Sequence, residues 1–152
     1  MNAAAGIVCL GLGLALTGCV AGPGDWDDAL GRDWTLVRLD GQRPLPEHTP
    51  TLTLADDGRV AGRSGGNRFF GTYERPGPGV IRFAALGSTR VFLDDPPGLM
   101  QQEQRYLETL GQIETYHVSA ERLRLLSDDR TRLIYIPSAP ETPSPRAGPA
   151  TP

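Results

Sequence analysis

Gly62-Arg63-Ser64-Gly65-Gly66 is the stretch of this chain that matches a catalytic signature, the G-x-S-x-G elbow that exposes a nucleophilic serine on a strand-to-helix turn. A strand pattern follows it here instead of a helix, and neither histidine of the chain, His48 or His117, is evidently paired with Ser64. The motif therefore reads as a glycine-rich turn or bulge, with a hydrolase using Ser64 as the remote alternative. Asn67 and Arg68 come next. An asparagine side chain donates and accepts several backbone hydrogen bonds and tolerates left-handed conformations, so Asn67 reads first as the lock of an irregular turn and second as a ligand contact. Arg68, Arg82 and Arg90 could line an anion pocket, since guanidinium forks match carboxylates. A solvated or salt-bridged strand face is the plainer account of them.

The remaining chemistry-bearing residues exclude more than they suggest. Two histidines without a third nitrogen or thiolate ligand do not make a zinc site. The acid pairs Asp56-Asp57, Asp94-Asp95 and Asp128-Asp129 lack the alternating spacing of a calcium loop and read as turn residues. All 15 basic residues are arginine, which removes P-loop and Schiff-base lysine chemistry. No catalytic residue, metal or cofactor is expected. Both cysteines, Cys9 and Cys19, fall in or beside the N-terminal apolar run, leaving the rest of the chain without a disulfide or thiolate site.

Cys19 carries chemistry of another kind. Ile7 to Leu16 is apolar or Gly throughout, too short to cross a bilayer core that needs about 20 residues, and it fits a secretory h-region. Leu16, Thr17, Gly18 and Cys19 then form a lipoprotein-processing signal, in which the Cys19 thiol receives diacylglycerol and cleavage precedes it. Met1 to Gly6 lacks the Lys or Arg usual in the n-region. Val20 is not the Asp that commonly retains lipoproteins at the inner membrane, so the expected location is the bacterial outer membrane, facing the periplasm.

These signals set the organisation: a signal peptide over 1–18, a lipidated Cys and flexible tether over 19–32, one domain over 33–136 and a disordered Pro-rich tail over 137–152. The formal net charge of −3 offers no basic surface to nucleic acid. Inside the domain a period of two predicts strands at 34–39, 51–54, 60–63, 67–74, 80–85, 115–119, 122–126 and 132–136, separated by turns such as Asp40-Gly41. Leu99 to Gln112 breaks that rhythm, with Leu99, Tyr106, Leu107 and Leu110 on one helical face. Gln101, Gln102, Glu103, Gln104 and Glu108 are assigned to the wet face. About eight strands and one helix imply a mainly β (α+β) fold, a small antiparallel barrel plugged or flanked by the helix.

The order of motifs resembles the META domain, the HslJ-like family of bacterial envelope lipoproteins. The resemblance rests on Trp34-Thr35-Leu36, on Gly62 through Tyr73, on Ser88-Thr89-Arg90-Val91, on the helix, on Tyr116-His117-Val118 and on Leu123-Arg124-Leu125. It implies a lipocalin-like barrel, a role in envelope stress or tolerance, and no established catalytic residues; it places Asn67, Arg68, Thr89 and Arg90 in a possible structural or binding motif. The family pattern usually has cysteines at the Gly66 position and near Leu93, and this chain lacks both. Taken together, these features predict a non-enzymatic, monomeric, lipid-anchored domain that binds an apolar small molecule or an envelope protein; the alternative is a scaffold or assembly lipoprotein contacting an envelope protein or the cell wall. A continuous apolar cavity would favour the first reading, and a filled interior with an exposed apolar patch the second. Because one thiol carries the lipid, Cys19→Ser should abolish metabolic palmitate labelling and leave the domain folded; equal label in the variant would overturn the assignment.

Overall fold

Alternation along each strand decides which side is buried: Leu52 and Leu54 point inward between Thr51 and Thr53, and Phe69 and Tyr73 inward between exposed Arg68, Phe70, Thr72 and Glu74. The computed structural model describes residues 24–91 and 96–139. In it the strands are β1 (Asp33–Leu39), β2 (Thr51–Leu54), β3 (Arg59–Arg63), β4 (Arg68–Glu74), β5 (Arg82–Ser88), β6 (Thr115–Ser119), β7 (Arg122–Ser127) and β8 (Arg130–Pro137), with helix α1 (Leu99–Gly111) between β5 and β6. They form one antiparallel sheet in the order β5-β4-β3-β2-β1-β8-β7-β6.

The turns follow from local chemistry. Asp40 and Gly41 both adopt positive φ, 48° and 80°, and Leu39 and Gln42 exchange two backbone hydrogen bonds of 2.9 Å across them. Asp128 and Asp129 do the same between β7 and β8, at φ 50° and 58°, the geometry that matches the twist of paired strands. Asp57 holds its turn by accepting from the Arg59 backbone N–H at 3.1 Å and from Arg59 Nε at 2.6 Å. Asp94 and Asp95 lie outside the described residues.

The sheet curls into a barrel-like wall without closing. Its edges β5 and β6 meet only through a bridge at Val80 and Thr115, flanked by Ile81 N–H to Glu114 O at 3.0 Å and Tyr116 N–H to Gly79 O at 2.9 Å. Each end is covered by a separate element. At one end α1 buries Leu99, Tyr106 and Leu110, and Tyr106 meets Phe69 edge-on at 5.5 Å between ring centroids. At the other end a 3₁₀ turn, Trp26–Asp28, buries Trp26 against Tyr116 and Tyr73, 4.8 and 5.6 Å away, under the Arg75 guanidinium at 4.3 Å.

For residues 24–32, part of the tether expected over 19–32, that second cover shows a packed segment instead. From Gly24 onward the chain is packed: Ala29 is fully buried and accepts the Trp34 indole N–H at 3.0 Å, and Leu30 bridges Leu54. Trp26 explains the difference, since an indole able to stack on two tyrosines outweighs the acidic residues around it. Residues 1–23 and 140–152, and with them Leu16, Thr17, Gly18 and Cys19, lie outside the described residues. At the C-terminal side β8 runs to Pro137, and Ser138 N–H donates to Asp33 O at 2.8 Å. No helix among the described residues is long and apolar enough to cross a membrane.

Side chains fill the interior. Trp34, Phe69, Tyr106, Tyr116 and Tyr135 are each at most 2 % exposed, and the Tyr135 hydroxyl donates to that of Tyr106 at 3.0 Å. Burial pushes both phenols well above their ordinary 10.0, because an isolated phenolate there would lose its water. The unfolded chain then sheds these protons near pH 10 while the folded chain keeps them, so stability should fall as pH rises beyond about 10. In urea titrations at pH 8 and 11, the double variant Tyr106→Phe/Tyr135→Phe should show less of this fall. At neutral pH Tyr106→Phe alone should cost about 1–3 kcal/mol by stranding the Tyr135 hydroxyl, and the double variant should cost less than that single change predicts. Additive costs would refute the pairing.

Candidate functional site

Helix α1 carries one charge on its inward stripe. Leu99, Glu103, Tyr106 and Leu110 follow one another at i, i+4, i+7 and i+11, and all four are buried. Glu103, assigned from sequence to the wet face, is 5 % exposed. The reason for the error is that its spacing fits the apolar stripe while its type does not. Its partners lie in the Ser64–Asn67 turn between β3 and β4. Oε1 accepts the consecutive backbone N–H groups of Gly66 at 2.6 Å and Asn67 at 2.8 Å, and Oε2 accepts Asn67 Nδ2 at 2.7 Å. Gly65 makes the approach possible: at φ +149°, a β-carbon there would stand 2.9 Å from Leu99 Cδ1 and 3.2 Å from Glu103 Cγ.

Asn67 passes the connection on. Its Oδ1 accepts from Val91 N–H at 2.9 Å and from the Thr89 hydroxyl at 3.0 Å, and Nδ2 also donates to Val91 O at 3.0 Å. Thr89 is tied to Arg68 through both backbones, with Arg68 N–H to Thr89 Oγ1 at 3.1 Å and Thr89 N–H to Arg68 O at 2.9 Å. The four residues singled out from sequence, Asn67, Arg68, Thr89 and Arg90, are thus neighbours, with Asn67 buried at the centre and the Arg68 and Arg90 side chains exposed. Arg82 is not among them: it pairs in register with Glu74 at the far end of β4, so the three arginines do not converge into one anion pocket.

Ser64 is fully buried. Its hydroxyl donates to Asn67 O at 3.3 Å and its N–H to the same oxygen at 2.9 Å, closing the turn; the motif enters strand β4 rather than a helix. Gln102, also assigned to the wet face, is half-buried and pins the loop before β2, accepting from Leu45 N–H at 2.6 Å and donating to His48 O at 2.9 Å. Beside the cluster lies an open groove of about 540 Å³, bordered by Thr89, Arg90, Met100, Gln101 and Leu107. Among the described residues no group of three His, Cys, Asp or Glu could hold a metal ion. The arrangement can fix a turn, a strand end and a helix to one another.

The model of the META domain matches residues 27–140. The chain belongs to the META domain family. Solved structures resemble it too. A protein from Burkholderia xenovorans solved by NMR is 28 % identical, with a TM-score of 0.59 over 75 % of this chain and 86 % of that one. A second NMR structure has 19 % identity and a TM-score of 0.57, covering 74 % of this chain and 93 % of its own. A DUF4847 family protein from Bacteroides vulgatus has 14 % identity and a TM-score of 0.52, covering 74 % and 95 %. At such identities the last two show the fold alone. No curated protein matches the chain. Nothing in the family or in these descriptions indicates catalysis.

In this META domain, Gly66 stands where the resemblance puts a cysteine and lends its N–H to Glu103; the second position, Leu93, lies outside the described residues. Glu103→Gln should destabilise the domain by about 1–3 kcal/mol, because its amide must present N–H to one of three donors already aimed at it. Asn67→Ala should cost a similar amount. Ser64→Ala, which removes only a long second bond to an oxygen already satisfied, should cost under about 1 kcal/mol. Urea unfolding of the three variants checks the order, and a Glu103→Gln curve equal to the parent's would dismiss the cluster as a determinant of stability.

Proposed function

We propose that this META domain is a non-enzymatic, lipid-anchored scaffold module of the bacterial envelope that contacts an envelope protein, as a single copy, through its outer wall, in the stress or tolerance role implied by its resemblance. The observation that carries the reading is the contrast between the two sides of the sheet. The inside is packed with aromatic side chains, which supports the reading in which a partner, rather than a small molecule held in the barrel, is bound. On the outside Phe70 is 60 % exposed. It stands in a shallow apolar groove of about 510 Å³ with Ala61, Gly71 and Ala85, edged by Thr53 and Thr72. An aromatic ring left in water on a strand, with small apolar neighbours, supports contact with an apolar side chain of another envelope protein.

The test is a photo-crosslinking residue at position 70, with position 124 on β7 as an exposed control. Adducts with an envelope protein at 70 and none at 124 are expected, and Phe70→Asp should abolish binding of the protein so identified while shifting stability by no more than about 0.5 kcal/mol. Equal adducts at both positions, adducts between copies of this chain, or a small molecule that copurifies and alters Trp34 fluorescence on release would each overturn the proposal.

A further inference from the structure

Trp26 fixes how long the leash to the membrane is, and thereby which end of the domain the membrane meets. Gly24 lies against β6 so closely that a β-carbon on it would sit 1.8 Å from Val118 O, and its φ of +84° suits only a residue without one. Asp25 then caps the 3₁₀ turn by accepting from Asp27 N–H at 3.1 Å, and Trp26 is 7 % exposed between two tyrosines. The chain is anchored to the fold from Gly24. Cys19 precedes it by only five positions, which reach at most about 18 Å when fully extended.

The other end is farther away than that. β4 runs from Arg68, tied to Thr89 beneath α1, to Tyr73, which meets Trp26. The five steps from Arg68 to Tyr73 span roughly 17 Å at about 3.3 Å each, and α1 adds a helix thickness of about 10 Å. A domain standing on α1 would lift Gly24 to about 25 Å above the lipid, beyond the leash of about 18 Å.

We infer that the 3₁₀-turn end faces the lipid headgroups, together with the Ser119–Arg122 turn that Arg32 braces through Ala120 O at 2.9 Å, and that α1 with the groove beside Asn67 faces away from the membrane. The inference rests on the proposed lipid at Cys19. No adhesion to lipid is required; the short leash alone imposes the orientation.

The mature lipidated chain has no cysteine thiol besides the acylated one, so single fluorophores can be placed at Ala120→Cys or Gln104→Cys, both exposed. The protein is reconstituted into phosphatidylethanolamine and phosphatidylglycerol vesicles containing a headgroup-linked quencher. The expected result is loss of emission at 120 with emission at 104 retained, and near-equal quenching once a flexible ten-residue Gly/Ser insert follows Val20. Vesicle flotation separates the two ways to fail. A protein that floats but is quenched equally at both sites, or more at 104, with the native leash overturns the orientation. A protein that does not float overturns the lipid anchor and the orientation with it.

Discussion

A carboxylate taken out of water must be surrounded by donors, and in this fold Glu103 imposes that requirement on everything near it. Among the described residues no arginine pairs with it, so its lone pairs are met by the peptide N–H groups of Gly66 and Asn67 and by the Asn67 amide. Peptide groups can converge on one oxygen only if the turn is tight and bare at the point of approach, which accounts for Gly65 against Leu99 and Glu103. The residue after the glycines must then serve both sides, and an asparagine has the donor and the acceptor to do so. A motif in the loop before β4 and a glutamate in α1, 36 residues apart in sequence, are one structural unit. Apolar packing alone would let a helix slide or rotate on the barrel end; three directed hydrogen bonds set its height and its angle.

The strands were largely legible because their signal is local. Trp34 to Leu39, Thr51 to Leu54 and Thr115 to Ser119 show their alternation within a few residues, and the observed elements agree with it to within a residue. β5 was the least legible. The strand was expected at 80–85 and runs over Arg82–Ser88, because its pairing with β4 shifts register after Phe70 and Ala85 takes up φ 51°, a bulge that breaks the period-two pattern. The candidate site was half legible. Asn67 announced itself as turn chemistry and Thr89 entered only through the family resemblance, whereas Glu103 is defined by partners far along the chain, and residue type alone sends a glutamate to water. The readable clue was its i+4 spacing from Leu99 and its i−3 spacing from Tyr106, an inward position held by a charge. The same limit hid the role of residues 24–32: the acids around Trp26 read as linker, and only Tyr73 and Tyr116, brought together by the sheet, give the indole a place to stack.

The unsealed seam between β5 and β6 explains why both ends need a cover. A closed barrel satisfies all its edges, whereas two strands joined by a single bridge leave backbone groups and apolar side chains to be protected from water and from other chains. Trp26 and the chain from Gly24 cover the β6 side; α1 covers the β5 side, with Leu86 beneath it near Gly111. One cover is held by aromatic stacking and a cation over the ring, the other by a buried polar cluster. The two have different sensitivities: salt acts weakly on a shielded indole, whereas loss of one donor from the Glu103 cluster leaves a charge without compensation.

Barrel size bears directly on where ligands can be held. Around eight strands, the interior is just wide enough for side chains to fill or for one small ligand to occupy, and which occurs depends on residue volume. Here Trp34, Tyr106, Tyr116 and Tyr135 are buried inside, and the hydroxyl pair of Tyr106 and Tyr135 satisfies polar atoms that would otherwise ask for water or ligand. Enlarging that space would require truncating several aromatics at about 3–5 kcal/mol each, against a domain stability of only about 5–15 kcal/mol. An interior of this kind is committed to holding the fold. Variation among relatives that share the fold at low identity is therefore least costly on the outer wall, where Phe70 and Thr72 can change without disturbing Phe69 and Tyr73 behind them.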